Sequence, residues 1–122
     1  MATFNQPKDL GDLLLVQVSP GWTKNRITLL GGSDYALGQV LANVAGKYQA
    51  LDPAGADPAN KAVAVLAEHI DASAGDTPAV VIARGAVLAL PELVWPPGIT
   101  EPQKAAALDD LNAQGIVARA TL

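Results

Sequence analysis

Apolar residues in this chain occur in short runs, most soon stopped by glycine, proline or a charge; even the longest strictly apolar ones, such as Ala62 to Ala67 and Ala86 to Leu90, are brief. Eleven Gly and nine Pro among 122 residues leave room for short strands joined by turns, and for little helix. The apolar fraction is 50%, but much of it is Ala, and the aromatic residues are only Phe4, Trp22, Tyr35, Tyr48 and Trp95. The core is therefore expected to be Val, Ile and Leu with small Ala spacers. The length suits one domain. A chain of this size buries roughly two-thirds of its unfolded surface, so it needs neither disulfide nor metal to fold. It has no Cys with which to form a disulfide.

The body divides into predicted strands at Arg26 to Leu30, Gln39 to Val44 and, after the turn at Gly46, Lys47 to Leu51. Residues 52–60 carry Pro53 and Pro58 and read as a surface loop, because each proline removes a donor and biases its predecessor away from helix. Ala62 to Ile70 reads as one further strand, though its Ala content also suits a helix. Ala79 to Ala83 is the clearest buried strand, and Ala86 to Leu90 either continues it or begins a turn. One helix stands out. Thr100 and Gln103 have capping-box spacing, Pro102 falls in the first turn, and Glu101 complements the helix dipole. The pattern predicts a helix over 101–114 with Ala105, Leu108 and Leu111 towards the core, stopped at Gly115. Ile116 to Arg119 returns as a last strand.

Met1 to Gly21 reads differently, as an extended arm (1–21) before a compact body (22–122). Pro7, Gly11, Pro20 and Gly21 break it, and Asn5, Gln6, Lys8, Asp9 and Asp12 keep it wet. Its apolar island of Leu13, Leu14, Leu15, Val16 and Val18 is β-prone and too short for a helix. An unpartnered strand exposes apolar surface and open backbone groups. The island must therefore pack on its own body, pair with a neighbouring subunit, or dock on another protein.

The net charge of −4, with eight basic residues scattered along the sequence, argues against direct nucleic-acid contact and against anionic membranes. No apolar run approaches the ~20 residues of a membrane span, and no basic region followed by an apolar stretch suggests a secretory leader. Catalytic candidates are sparse. His69 is the single imidazole; paired with Ser33 or Ser73 it offers a general base and a hydroxyl, yet the Gly-x-Ser-x-Gly elbow is missing and Ser33 sits in ordinary turn composition. Asp52 and Asp57 lack the alternating acidic pattern of a calcium loop. Gly31-Gly32 is not followed by the Lys-Ser/Thr of a phosphate loop. No catalytic, cofactor-binding or metal-binding residues are assigned, and the chain is expected not to be an enzyme. Trp22 and Trp95 fit core packing, ligand stacking or interface anchoring.

The order of segments resembles the lambda-type bacteriophage head decoration protein family. The matching pieces are Gly11-Asp12-Leu13-Leu14, Ile27-Thr28-Leu29 before the Gly-rich turn, and Gly46-Lys47-Tyr48 leading to Leu51-Asp52-Pro53. They continue through the 71–76 loop and the strand Ala79 to Arg84. Leu93-Val94-Trp95-Pro96 follows, then the run from Gly98-Ile99-Thr100 through the Ala-rich helix to Gly115-Ile116-Val117. The resemblance implies a mainly β fold with short helices, an α+β, β-clip-like small domain behind an extended N-terminal arm. It implies a homotrimer at local three-fold positions of the expanded head, bound to the major capsid protein and resisting the pressure of packaged DNA. It also implies location on the outer surface of the virion head after synthesis in the host cytoplasm, without a cofactor. The family's arm, mobile when free and ordered on the shell, maps onto Met1 to Val18. Phe4, Leu13, Leu14, Leu15, Val16 and Val18 are then the capsid-binding residues, and Trp95, Pro96 and Pro97 are candidates for subunit contact. The reading from another class is a small β-rich module that grips sugar or peptide with Trp22, Trp95 and Tyr35.

Overall fold

The computed structural model describes residues 10–120; Phe4 lies outside them. In chain order the elements are α1 (Leu10–Leu13), β1 (Leu14–Gln17), α2 (Pro20–Thr23), β2 (Lys24–Leu29), β3 (Asp34–Tyr35), β4 (Val40–Val44) and β5 (Lys47–Ala50). Then come β6 (Ala64–Leu66), β7 (Ile70–Asp71), β8 (Thr77–Ile82), β9 (Ala86–Ala89), a 3-10 turn (Leu90–Glu92), α3 (Glu101–Ala113) and β10 (Ile116–Arg119). Ten strands and few helical residues make the described chain mainly β, as its turn-rich sequence requires.

Five strands close a barrel in the order β2-β5-β4-β6-β8. Its interior holds Leu29, Leu41, Ala64, Leu66, Ala79 and Val81, together with the buried ring of Tyr35. Alanines recur among them because a five-stranded barrel is narrow and the side chains that fill it must be small. Strand β8 shows why its sequence is apolar without interruption. Ala79, Val81 and Ala83 turn inward, while Val80 and Ile82 turn outward onto a second core. That second core lies between the barrel's outer face (Val40, Ala42, Val65, Ala67, Ile82) and a covering layer. The layer consists of α1, the three-stranded sheet β1-β9-β10, helix α3 and the 3-10 turn with the residue after it; it contributes Leu13, Leu88, Leu93, Ala107, Leu111 and Ile116. Each fully buried Leu or Ile here contributes about 1.5–3 kcal/mol relative to exposure.

Helix α3 follows its sequence signals closely. Gln103 N–H donates to Thr100 Oγ1 at 3.3 Å and Thr100 N–H donates to Gln103 Oε1 at 2.9 Å, which completes the capping box. Its buried face differs from the expected stripe. Ala107 and Leu111 are the buried pair, Leu108 packs partly, and Ala105 is exposed. The helix returns the chain so that β10 runs parallel to β9, a pairing that a hairpin cannot make.

Two further expectations change. Ala62 to Ile70 is not one strand. Ala67 N–H donates to Val80 O, but Val80 N–H donates to the side chain of Glu68 at 2.8 Å. A carboxylate thus replaces the main-chain acceptor, the ladder stops, and the chain turns into β7, which pairs with β3. The apolar island after Gly11 takes the first of its three open destinations. β1 pairs antiparallel with β9, with a bulge between Leu14 and Val16, and Leu13 is fully buried.

Candidate functional site

The residues expected to bind a shell divide by burial. Leu13 lies wholly in the core, and Leu14 packs partly against it. Leu15 sits half-buried at the bulge. Val16 and Val18 are 44% and 72% exposed. Within the described residues, then, 10–17 form part of the body and present a few side chains from it. Among them β1 and β10 are the two edges of their sheet, whereas the barrel strands form a closed ring.

The segment after β1 builds a fixed apolar anchor. Trp22 and Thr23 N–H groups both donate to Ser19 O, at 3.0 and 2.7 Å. Thr23 is fully buried; its carbonyl accepts from Ala83 N–H at 2.8 Å and its hydroxyl donates to Gly85 O at 3.3 Å. This ties α2 to the β8–β9 turn. The Trp22 ring then rests on Gly85, whose φ of 62° and missing side chain both matter: a Cβ there would overlap the ring. Arg84 stacks its guanidinium 5.7 Å from the ring centroid and donates to Trp22 O and to Asn25 Oδ1. Trp22 stays 52% exposed in this grip. Val18 joins it through its N–H, which donates to Gly85 O at 2.9 Å.

The other singled-out residues lie elsewhere. Trp95 is half-buried and lines a cavity of about 400 Å³ between the 3-10 turn and α3, with Leu90, Leu93 and Leu108 among its neighbours. Pro96 and Pro97 border a second cavity of about 390 Å³ beside Leu51 and Ile99. Tyr35 is 2% exposed and donates its hydroxyl to Leu30 O at 2.7 Å; burial, and then the charge of Asp76, push its phenol pKa up. It is thus a core residue and takes no part in a surface grip with Trp22 and Trp95.

The polar candidates make surface ties. His69 Nε2 meets Asp34 Oδ1 at 2.9 Å, with both side chains more than half exposed. Asp71 is held below the ordinary carboxylate range by the Ser73 side chain and then by Ser73 N–H. Asp76 takes Lys47 Nζ at 2.5 Å on one oxygen and Gly31 N–H at 2.8 Å on the other, which lowers its pKa for the same two reasons in that order. These ties lock loop to strand end at one end of the barrel. Among the described residues no group of three or more His, Asp or Glu is arranged to hold a metal ion, and no helix is long and apolar enough to cross a membrane.

The family model for bacteriophage lambda head decoration protein D matches residues 3–116. The chain belongs to that family. A search of curated proteins gives no match. Membership makes this a structural protein of the phage head, a capsid decoration protein carried on the virion. The match spans both layers of the fold and begins ahead of α1, so the N-terminal segment belongs to the decoration protein as much as the barrel does.

Sequence reasoning missed the role of Arg84 and Gly85. The signal was present as Ala83-Arg84-Gly85-Ala86, a turn between two apolar strands, but its contact with Trp22 spans 62 residues of chain. It also missed a charge pattern. Residues 13–33, 77–91 and 115–120 contain Lys24, Arg26, Arg84 and Arg119 and no acidic residue.

Proposed function

We propose that the protein binds the expanded phage head as a homotrimer at local three-fold positions, contacts the major capsid protein, and stabilises the shell against the pressure of packaged DNA. The observation that carries this reading is the family match over nearly the whole chain, N-terminal segment included. The reading assigns first contact with the shell to the segment before Leu10, including Phe4. Leu13, buried in the core, gives that segment a rigid root.

An extended segment can add to an exposed sheet edge, with backbone hydrogen bonds giving affinity and alternate side chains giving specificity. Ordering such a segment costs about 1–2 kcal/mol per residue in backbone entropy, so one segment binds weakly. Three on one rigid trimer act together, and linkage raises avidity by ~10²–10⁴. A docking site assembled from several capsid subunits exists only after expansion, which makes binding report maturation.

Electron microscopy of expanded heads with added protein tests the reading. Trimeric density over the local three-fold positions is expected. Bare heads at saturating protein would refute it. A variant lacking residues 1–9 should keep the far-UV spectrum of the intact chain and lose capsid binding. A longer deletion, through residue 18, would also remove β1 and Leu13 from the body.

A further inference from the structure

We infer that the surface around Trp22 is where one copy receives the next, in a head-to-tail contact that joins this basic, apolar face to the acidic remainder of a second copy. The inference rests on the homotrimer proposed above and names the surface that builds it.

Four large apolar residues of the described chain stand exposed, and three fall within seven positions: Val16, Val18 and Trp22. They flank one turn. Val18 bonds to Gly85, Trp22 rests on it, and Val16 pairs with Val87. Trp22 is held before any partner arrives, by Gly85 beneath and Arg84 beside it, so little ordering cost remains at binding. Aromatic and arginine side chains fixed in this manner are typical interface anchors. The β1 edge next to it is open among the described residues.

Charge decides the kind of contact. Lys24 and Arg26 lie on β2 directly after α2, and Arg84 completes the basic rim. Glu68 approaches from the end of β6, but its Oε2 already accepts from Val80 N–H. All twelve Asp and Glu residues of the chain lie outside the three acid-free segments, in company with only Lys8, Lys47, Lys61 and Lys104. A two-fold contact through the Trp22 face would set Lys24, Arg26 and Arg84 against their own copies. A head-to-tail contact sets them against acid instead, and head-to-tail contacts close into rings when the rotation permits. The charge asymmetry therefore favours a head-to-tail contact, which the proposed homotrimer requires, over a two-fold dimer.

Sedimentation velocity and native mass spectrometry of the full chain, from about 1 to about 100 μM at low and high salt, test this. The intact protein should form a ring whose dissociation constant rises about tenfold or more at high salt. Val18→Ser and Arg26→Glu, both at exposed positions, should each weaken assembly by a similar factor while the far-UV spectrum is unchanged. A strict monomer, a two-fold dimer, or variants that assemble like the parent would each overturn the inference. If the chain is monomeric and Val18→Ser weakens only capsid binding, the face meets the shell and the inference fails. A chain lacking residues 1–9 should still assemble, so failure of this contact and failure of capsid binding are read in separate experiments.

Discussion

Replacing Leu13 by Ala separates an arm from a body. Leu13 is fully buried in the second core, in company with Leu88, Leu111 and Ile116. Leu→Ala at such sites costs about 2–5 kcal/mol, part transfer and part cavity. The site is enclosed by a barrel on one side and a sheet and helix on the other, so collapse is limited and a loss of about 3 kcal/mol is expected. An unfolding entropy of about 2.1 cal/mol/K per residue over 122 residues is roughly 0.26 kcal/mol/K, so Tm should fall by about 12 °C. Differential scanning calorimetry at a concentration where the chain is monomeric measures this, since assembly would add its own stabilisation. Val18→Ala, at a 72% exposed position, should change stability by less than about 0.5 kcal/mol under the same conditions. If Leu13→Ala melts within about 2 °C of the parent, which is roughly 0.5 kcal/mol on the same entropy, residues 10–17 are not structural and the placement of β1 in the body is wrong.

Three other outcomes follow from the same packing. Thr100→Ala removes the hydroxyl that accepts from Gln103 N–H and should cost about 1 kcal/mol in urea unfolding, with Thr100→Ser restoring most of it. Gly31→Ala would place a Cβ into the backbone of Gly75 and should cost about 1–3 kcal/mol; a neutral result would mean that the two loops separate easily. The Asp71 and Asp76 pKa values are lowered in the folded chain, so their contribution is present above the unfolded carboxylate value and is lost as pH falls through the folded ones. Acid titration followed by circular dichroism should therefore show stability falling below about pH 4, and Asp76→Asn should flatten part of that fall.

Much of the fold was legible where local chemistry decides it. The capping box located α3, Gly115 ended it, and the bounds of β10 agree with the run after it. What stayed hidden depends on distant partners. Nothing in Lys24 to Leu29 announces that it lies between β8 and β5 and so closes a barrel. Glu68 reads as an ordinary surface acid, yet its side chain stands in for a backbone carbonyl and ends β6. The helix stripe was misplaced because alanines lie at many of its positions, and burial among them is settled by the shape of the opposing sheet. At the surface, Trp22 was visible as a candidate anchor. The residues that fix its orientation, Arg84 and Gly85, become its neighbours only through the fold.

The placement of β1 and β10 has a mechanical consequence. Leu14 and Ala118 both flank Leu88, from opposite sides of β9. The start of β1 and the end of β10 therefore lie at the same end of this sheet, about two strand spacings, or ~10 Å, apart. A pull between these two positions would peel the edge strands from β9 at that end rather than shear them along it.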